Sequence, residues 1–100
     1  MITMVAKLQA KPGQEDELKA ILTDMVGKVK QHEADGVPVY SLHVSDEDPT
    51  VFLFYEQYNS PDALKAHGQT SHMQEMNQKL KGMLAGRPVI ERYTHIAGVS

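Results

Sequence analysis

One hundred residues with 41% hydrophobic content suit a single small domain (1–100), one that buries only part of its surface when folded alone, so a partner subunit is expected. A net charge of -3 without a basic run argues against nucleic acid as a partner, and the absence of cysteine excludes disulfides, thiolate chemistry and cysteine-ligated metal centres. The opening MITMVAKLQAKPG lacks a signal-peptide layout and no run approaches a membrane span, so the expectation is a cytoplasmic protein with no membrane partner.

Ile2–Ala10 alternates, with Ile2, Met4, Ala6, Leu8 and Ala10 on one face, and period two predicts a half-buried strand stopped by Pro12-Gly13. Gln14–Ala34 places Leu18, Ile21, Leu22, Met25 and Val29 on one helical stripe. Glu15, Asp16 and Glu17 crowd its first turn, where the helix dipole favours negative charge. Gly36 is the expected left-handed stop. Gly27, unfavourable inside a helix by about 1 kcal/mol relative to Ala, suggests close packing.

Val37–Val44 reads as a second strand, with Pro38 at its start or on an edge. Ser45–Pro49 is a turn. Val51–Tyr58 is a third strand, with Phe52, Phe54, Glu56 and Tyr58 facing one way and Val51, Leu53, Tyr55 and Gln57 the other. Both faces are substantially apolar, so something covers each side. Ser60-Pro61-Asp62 is an N-cap followed by Pro and an acid, opening a short helix that ends at Gly68. Ser71-x-x-Gln74 matches a capping box. Met73, Met76, Leu80, Met83 and Leu84 follow as a helical stripe closed by Gly86 and Pro88. Val89–Ile96 alternates as the last strand.

This order is the ferredoxin-like βαββαβ arrangement, an α+β fold with helices on one face of an antiparallel sheet. No segment remains to cover the other face. A second copy laying its sheet there would form a dimeric α+β barrel, so a homodimer through the sheet faces is expected.

Tyr40-x-Leu42, Glu56-Gln57-Tyr58, Ala63-Leu64-x-x-His67 and Ser71-His72-Met73 together resemble the antibiotic biosynthesis monooxygenase domain family. The run Leu64–Met73 is most similar to its quinol monooxygenase branch. The resemblance spans nearly the whole chain and implies a dimeric α+β barrel. It also implies oxygenation with molecular oxygen as co-substrate and no flavin, metal or haem. The chain departs from the family pattern at Tyr58, where Trp is common, and in Val37-Pro38-Val39, which replaces a Cys-containing approach to Tyr40. Haem-degrading members use an Asn on the first strand; Ile2–Ala10 has none, which disfavours that activity.

His67 shares a helical face with Ala63 and Leu64. It reads either as a helix-end histidine bonded to a carbonyl or to Glu56, or as a general base in a pocket between helices and sheet. Glu56, among Phe54 and Tyr58, needs a partner when buried; it is a structural carboxylate or the group that orients His67. His72 is a capping or surface residue, or a pocket wall or second proton acceptor. Tyr40 and Tyr58 are core aromatics, or ligands of substrate oxygens. Met76 and Phe54 are core filler or pocket lining. His43 and His95 read as surface strand residues. No ligand motif supports a metal at His67, His72 and Glu56.

The expected function is therefore cofactor-independent oxygenation of a quinol-like or polyphenolic small molecule, with His67 and Glu56 catalytic and Tyr40, Tyr58, His72, Phe54 and Met76 binding substrate. Two alternatives stay open. One is an isomerase of a small polar carbonyl compound of the autoinducer-2-phosphate type, anchored by Arg87 or Arg92. The other is a non-catalytic binding module, which a filled pocket would favour.

Overall fold

The alternating and three-four patterned stretches build seven elements. In chain order they are β1 (Ile2–Gln9), α1 (Glu15–His32), β2 (Val39–Val44), β3 (Val51–Tyr58), α2 (Pro61–Gly68), α3 (Ser71–Lys79) and β4 (Val89–Thr94). The computed structural model describes residues 1–99; Ser100, the last residue of the expected domain, lies outside them. The strands form one sheet in the order β2-β3-β1-β4, and each neighbouring pair is antiparallel. This is the ferredoxin-like α+β fold, with α2 and α3 together filling the second helical position.

Register decides what faces the helices. Met4 lies opposite both Glu56 and Arg92, and Glu56 lies opposite Tyr40, so these four form one row across the sheet. The next row is Ile90, Ala6, Phe54 and Leu42. Because side chains alternate in direction, the even-numbered residues of β3 all point inward, and all four are buried. From α1, Leu18, Leu22, Met25 and Val29 meet them in a core shared with Leu8, Ala10, Val37, Met76, Leu80 and Met83. The opposite sheet face carries Val5, Val39, Val51, Leu53 and Tyr55, each half-buried. Among the described residues no helix lies over it, and no helix is long and apolar enough to cross a membrane.

Several element ends differ from the sequence expectation. β1 stops at Gln9; Ala10 makes an isolated bridge to Leu84, held by the Lys11 N–H on the Met83 carbonyl at 2.9 Å and the Ala85 N–H on the Gln9 carbonyl at 2.8 Å. The second and last strands begin at Val39 and end at Thr94. α1 ends at His32 with Glu33 as C-cap. Gly36 is not left-handed; a Cβ there would sit 3.0 Å from that of Ala63, so its lack of a side chain serves the approach of α2. Gly27, by contrast, faces open space, so the close packing expected of it is absent. α3 ends at Lys79, leaving Met83 and Leu84 beyond the helix. The left-handed glycine of that turn is Gly82, at φ +80°, not Gly86.

The capping also shifts by one residue. Ser60 caps α2 as expected, its side chain accepting from the Ala63 N–H. For α3 the cap is Thr70, whose hydroxyl oxygen accepts from the Met73 N–H at 3.2 Å, and not Ser71. Replacing Thr70 by Ala is expected to lower stability by about 1 kcal/mol, and Ser71→Ala by much less. Urea denaturation of the two variants checks this; a larger loss in Ser71→Ala would return the cap to Ser71.

Candidate active site

The inward row of β3 forms the floor of a cavity roofed by α2 and α3. Its volume is about 210 Å³, and Met4, Ala6, Phe54, Leu64, Met73, Met76 and Leu80 supply most of its apolar wall. Tyr40, Glu56, Tyr58, His67 and Asn77 bring polar groups to it, and Pro88 and Ile90 border it on the β4 side. A larger groove of about 410 Å³ runs along β2, but its ionisable side chains Lys19 and His43 are exposed.

His67 is the centre of the polar cluster. Its position in the last turn of α2, on the face of Ala63 and Leu64, aims it at the sheet and leaves it buried. Its ring lies between those of Tyr40, at 5.3 Å, and Tyr58, at 5.5 Å. Nδ1 meets the Glu33 carboxylate at 3.0 and 3.2 Å. A carboxylate on Nδ1 places the proton there, so Nε2 carries the lone pair for a ligand in the cavity.

The carboxylate that orients His67 is thus Glu33, and the expected pairing of Glu56 with His67 is not formed. Glu56 instead accepts from the Tyr58 hydroxyl within the same strand. This pairing is local: residues two apart share a sheet face, and their side chains meet without any help from the helices. Tyr58 is therefore occupied by a protein partner. Tyr40 stacks on Phe54 at 4.8 Å and lines the cavity. Burial, reinforced by the Glu56 and Glu33 charges, pushes the Tyr40 phenol far above its ordinary value. Burial and Glu56 do the same for Tyr58. Both phenols stay protonated across ordinary pH; the Tyr58 proton is given to Glu56, so the Tyr40 hydroxyl is the one suited to holding an anionic oxygen.

His72 does not reach the cavity. Its Nε2 meets Oε2 of Glu33 at 2.5 Å, the oxygen that lies 3.2 Å from His67 Nδ1, and its ring stacks on His32 at 5.7 Å. Phe54 and Met76 line the cavity as expected, and His43 and His95 are exposed. Arg87 and Arg92 are also exposed and are not part of the cavity lining. Glu33, His67 and His72 are engaged with one another, and among the described residues no three acidic or histidine side chains are grouped to hold a metal ion. Sequence reasoning missed Glu33 and Asn77. Glu33 did leave a signal: an acid at a helix C-terminus is opposed by the dipole and so requires a compensating partner.

Burial raises the Glu56 carboxyl, with the Tyr58 hydrogen bond and His67 opposing that shift. A raised acid binds its proton more tightly in the folded state, so its contribution to stability declines as pH rises from the ordinary carboxylate value to the raised one. Glu56→Gln cannot titrate. The variant should therefore gain stability relative to the parent as pH rises from the ordinary carboxylate value, about pH 4, through the raised one, measured as the difference in urea midpoint at each pH. A difference moving the other way would mean that Tyr58 and His67 hold the carboxylate ionised.

The sequence profile of the antibiotic biosynthesis monooxygenase family matches residues 1–79, which takes in every cavity residue except those of the final turn and β4. Solved structures agree. A Caulobacter crescentus protein provisionally named an antibiotic biosynthesis monooxygenase is 34% identical, with a TM-score of 0.89 over 96% of this chain and 90% of that one. A Pseudomonas aeruginosa protein is 27% identical, with a TM-score of 0.87 over 96% of this chain and 94% of the other. A Mycobacterium tuberculosis protein, 21% identical with a TM-score of 0.89 over 99% and 98% of the two chains, shares the fold. No curated protein matches the sequence.

Proposed function

The chain belongs to the antibiotic biosynthesis monooxygenase family, and from that premise we propose that it is a cytoplasmic, cofactor-independent monooxygenase of a quinol-like or polyphenolic small molecule. The observation that carries this reading is the imidazole of His67, tied at Nδ1 to Glu33 and bordering an apolar cavity of about 210 Å³. An apolar cavity of about 150 Å³ already admits benzene, so a phenolic ring fits.

Nε2 of His67 takes the phenolic proton. The resulting anion, desolvated by the methionine and leucine walls and held by the Tyr40 hydroxyl, passes one electron to molecular oxygen. The radical pair combines at a ring carbon bearing hydrogen. His67 returns its proton to the peroxide, and loss of water leaves the carbonyl product. The protein supplies orientation, desolvation and anion stabilisation. Oxygen is the only co-substrate, and no flavin, haem or metal takes part. The isomerase alternative is less well supported, because a phosphorylated substrate wants a cationic anchor and neither Arg87 nor Arg92 borders the cavity.

Incubation of a naphthalene hydroquinone with labelled oxygen should place one labelled atom in the product. His67→Gln should lower kcat by about 10²–10⁴-fold without unfolding the protein. Equal product formation under strict anaerobiosis would overturn the reading.

The same proposal includes a homodimer. Support comes from the apolar outer residues Val39, Val51, Leu53 and Tyr55, for which a second sheet is the complementary surface. Sedimentation should give a dimer for the parent and a monomer for Leu53→Lys; a monomeric parent would reject this arrangement.

A further inference from the structure

Glu33 joins two separate spaces. On one side His67 borders the cavity. On the other, His72 borders a crevice between α1 and α3 together with Asp24, Lys28 and Glu75. That crevice measures about 10 Å³, close to the space one water molecule occupies. Lys28 spans it, 3.2 Å from Asp24 and 3.4 Å from Glu75. Each imidazole spends one nitrogen on Glu33, Nδ1 of His67 and Nε2 of His72. The remaining nitrogens are Nε2 of His67 and Nδ1 of His72.

The side chains of Glu33, His67 and His72 are no more than 10% exposed. One carboxylate neutralises one imidazolium, and a second positive charge in a site this dry is costly. We propose that Glu33 is a positioning residue that couples His67 and His72 into a pair sharing one proton, His72 giving a proton to the crevice as His67 takes one from the substrate. The proton gained enters at Nε2 of His67 and the proton lost leaves from Nδ1 of His72. Glu33 stays ionised and transfers nothing, so the net charge of the three side chains is unchanged. The substrate half of this exchange rests on the proposed role of His67 as base.

Other polar and charged groups border the pair. His32 of α1 stacks on His72. Tyr40 of β2 and Tyr58 of β3 flank His67, and Glu56 of β3 acts electrostatically with it. Asp24 and Lys28 of α1, with Glu75 and Lys79 of α3, surround the crevice. All of these persist when Glu33 or His72 is replaced, so they cancel in a comparison of variants.

The test is the titration of the His67 ring, followed by NMR in the folded, histidine-labelled full chain. His72→Gln keeps an N–H for Glu33 but removes the competing cation, and should move the His67 titration to higher pH. Glu33→Gln removes the shared charge and should move it to lower pH. Each shift should be about 1 pH unit or more. Read at His72, His67→Gln should give an upward shift that matches. In turnover, the acid limb of kcat/KM should follow the same two directions, with KM for the quinol changing little in Glu33→Gln. Shifts in the same direction, or none, would overturn the coupling. Opposed shifts in a protein that shows no oxygenation would establish the coupling and reject the assignment of His67 as a catalytic base.

Discussion

Glu33 is an ionisable residue placed where a helix least favours it, at the C-cap of α1, and nearly closed off from water. Left alone, such a carboxylate would be strongly destabilising. Its two oxygens instead meet one imidazole from α2 and one from α3. The three helices are otherwise joined mainly by non-directional apolar packing. Together with the exposed Lys28–Glu75 pair between α1 and α3 at 3.4 Å, this buried contact sets the rotation of α2 and α3 relative to α1, and with it the orientation of the His67 ring above the sheet. Removing one member of such a trio leaves the others desolvated and unpaired, so it is a specificity device more than a source of stability.

The floor of the cavity obeys a different logic. Glu56 and Tyr58 satisfy each other within one strand, independent of the helices above. Apart from Tyr40 and Asn77, the polar groups at the cavity belong to two hydrogen-bonded sets, the Glu56–Tyr58 strand pair below and His67 with its partners Glu33 and His72 above. His67 belongs to the upper set and stacks against Tyr58 of the lower one. Tyr40 meets His67 from the adjacent strand, and its phenol remains protonated. The space between the two sets is walled mainly by methionine, leucine and phenylalanine side chains. The result is an apolar compartment that sets an imidazole beside a phenolic donor, and the proposed uncharged aromatic substrate rests on that pairing.

How much of this was legible in the sequence depended on how far each interaction reaches along the chain. The strands were legible because alternation is local, and the stripe Leu18, Leu22, Met25 and Val29 because three-four spacing is local. The Ser60 cap and Pro61 were legible for the same reason. His67 could be assigned to the inner face from Ala63 and Leu64 alone. The error at Ser71 was a competition between adjacent hydroxyls, since Thr70 and Ser71 both suit a cap and only the backbone of Thr70, extended at ψ 151°, decides it. Gly36 was read as a left-handed stop because it follows a helix; that conformation is taken by Gly82 after α3, and the close approach of Ala63 to Gly36 is a tertiary fact. The partner of His67 was illegible in detail because Glu33 lies 34 residues away, whereas Glu56 was the acid on the expected strand face.

That misassignment has a physical lesson for reading buried acids. Glu56 looked like the orienting group because it sits among aromatics and must be satisfied. Yet a strand offers such a residue a same-face neighbour two positions on, and Tyr58 meets the need without reference to any helix. Glu33 has no neighbour of that kind. At the end of α1 it faces carbonyl groups that repel it, and its relief must come from donors outside its own element. A carboxylate opposed by its local backbone therefore points to long-range partners more reliably than one surrounded by aromatic residues. In this chain the partners it points to are the two imidazoles that open toward the cavity and the α1–α3 crevice.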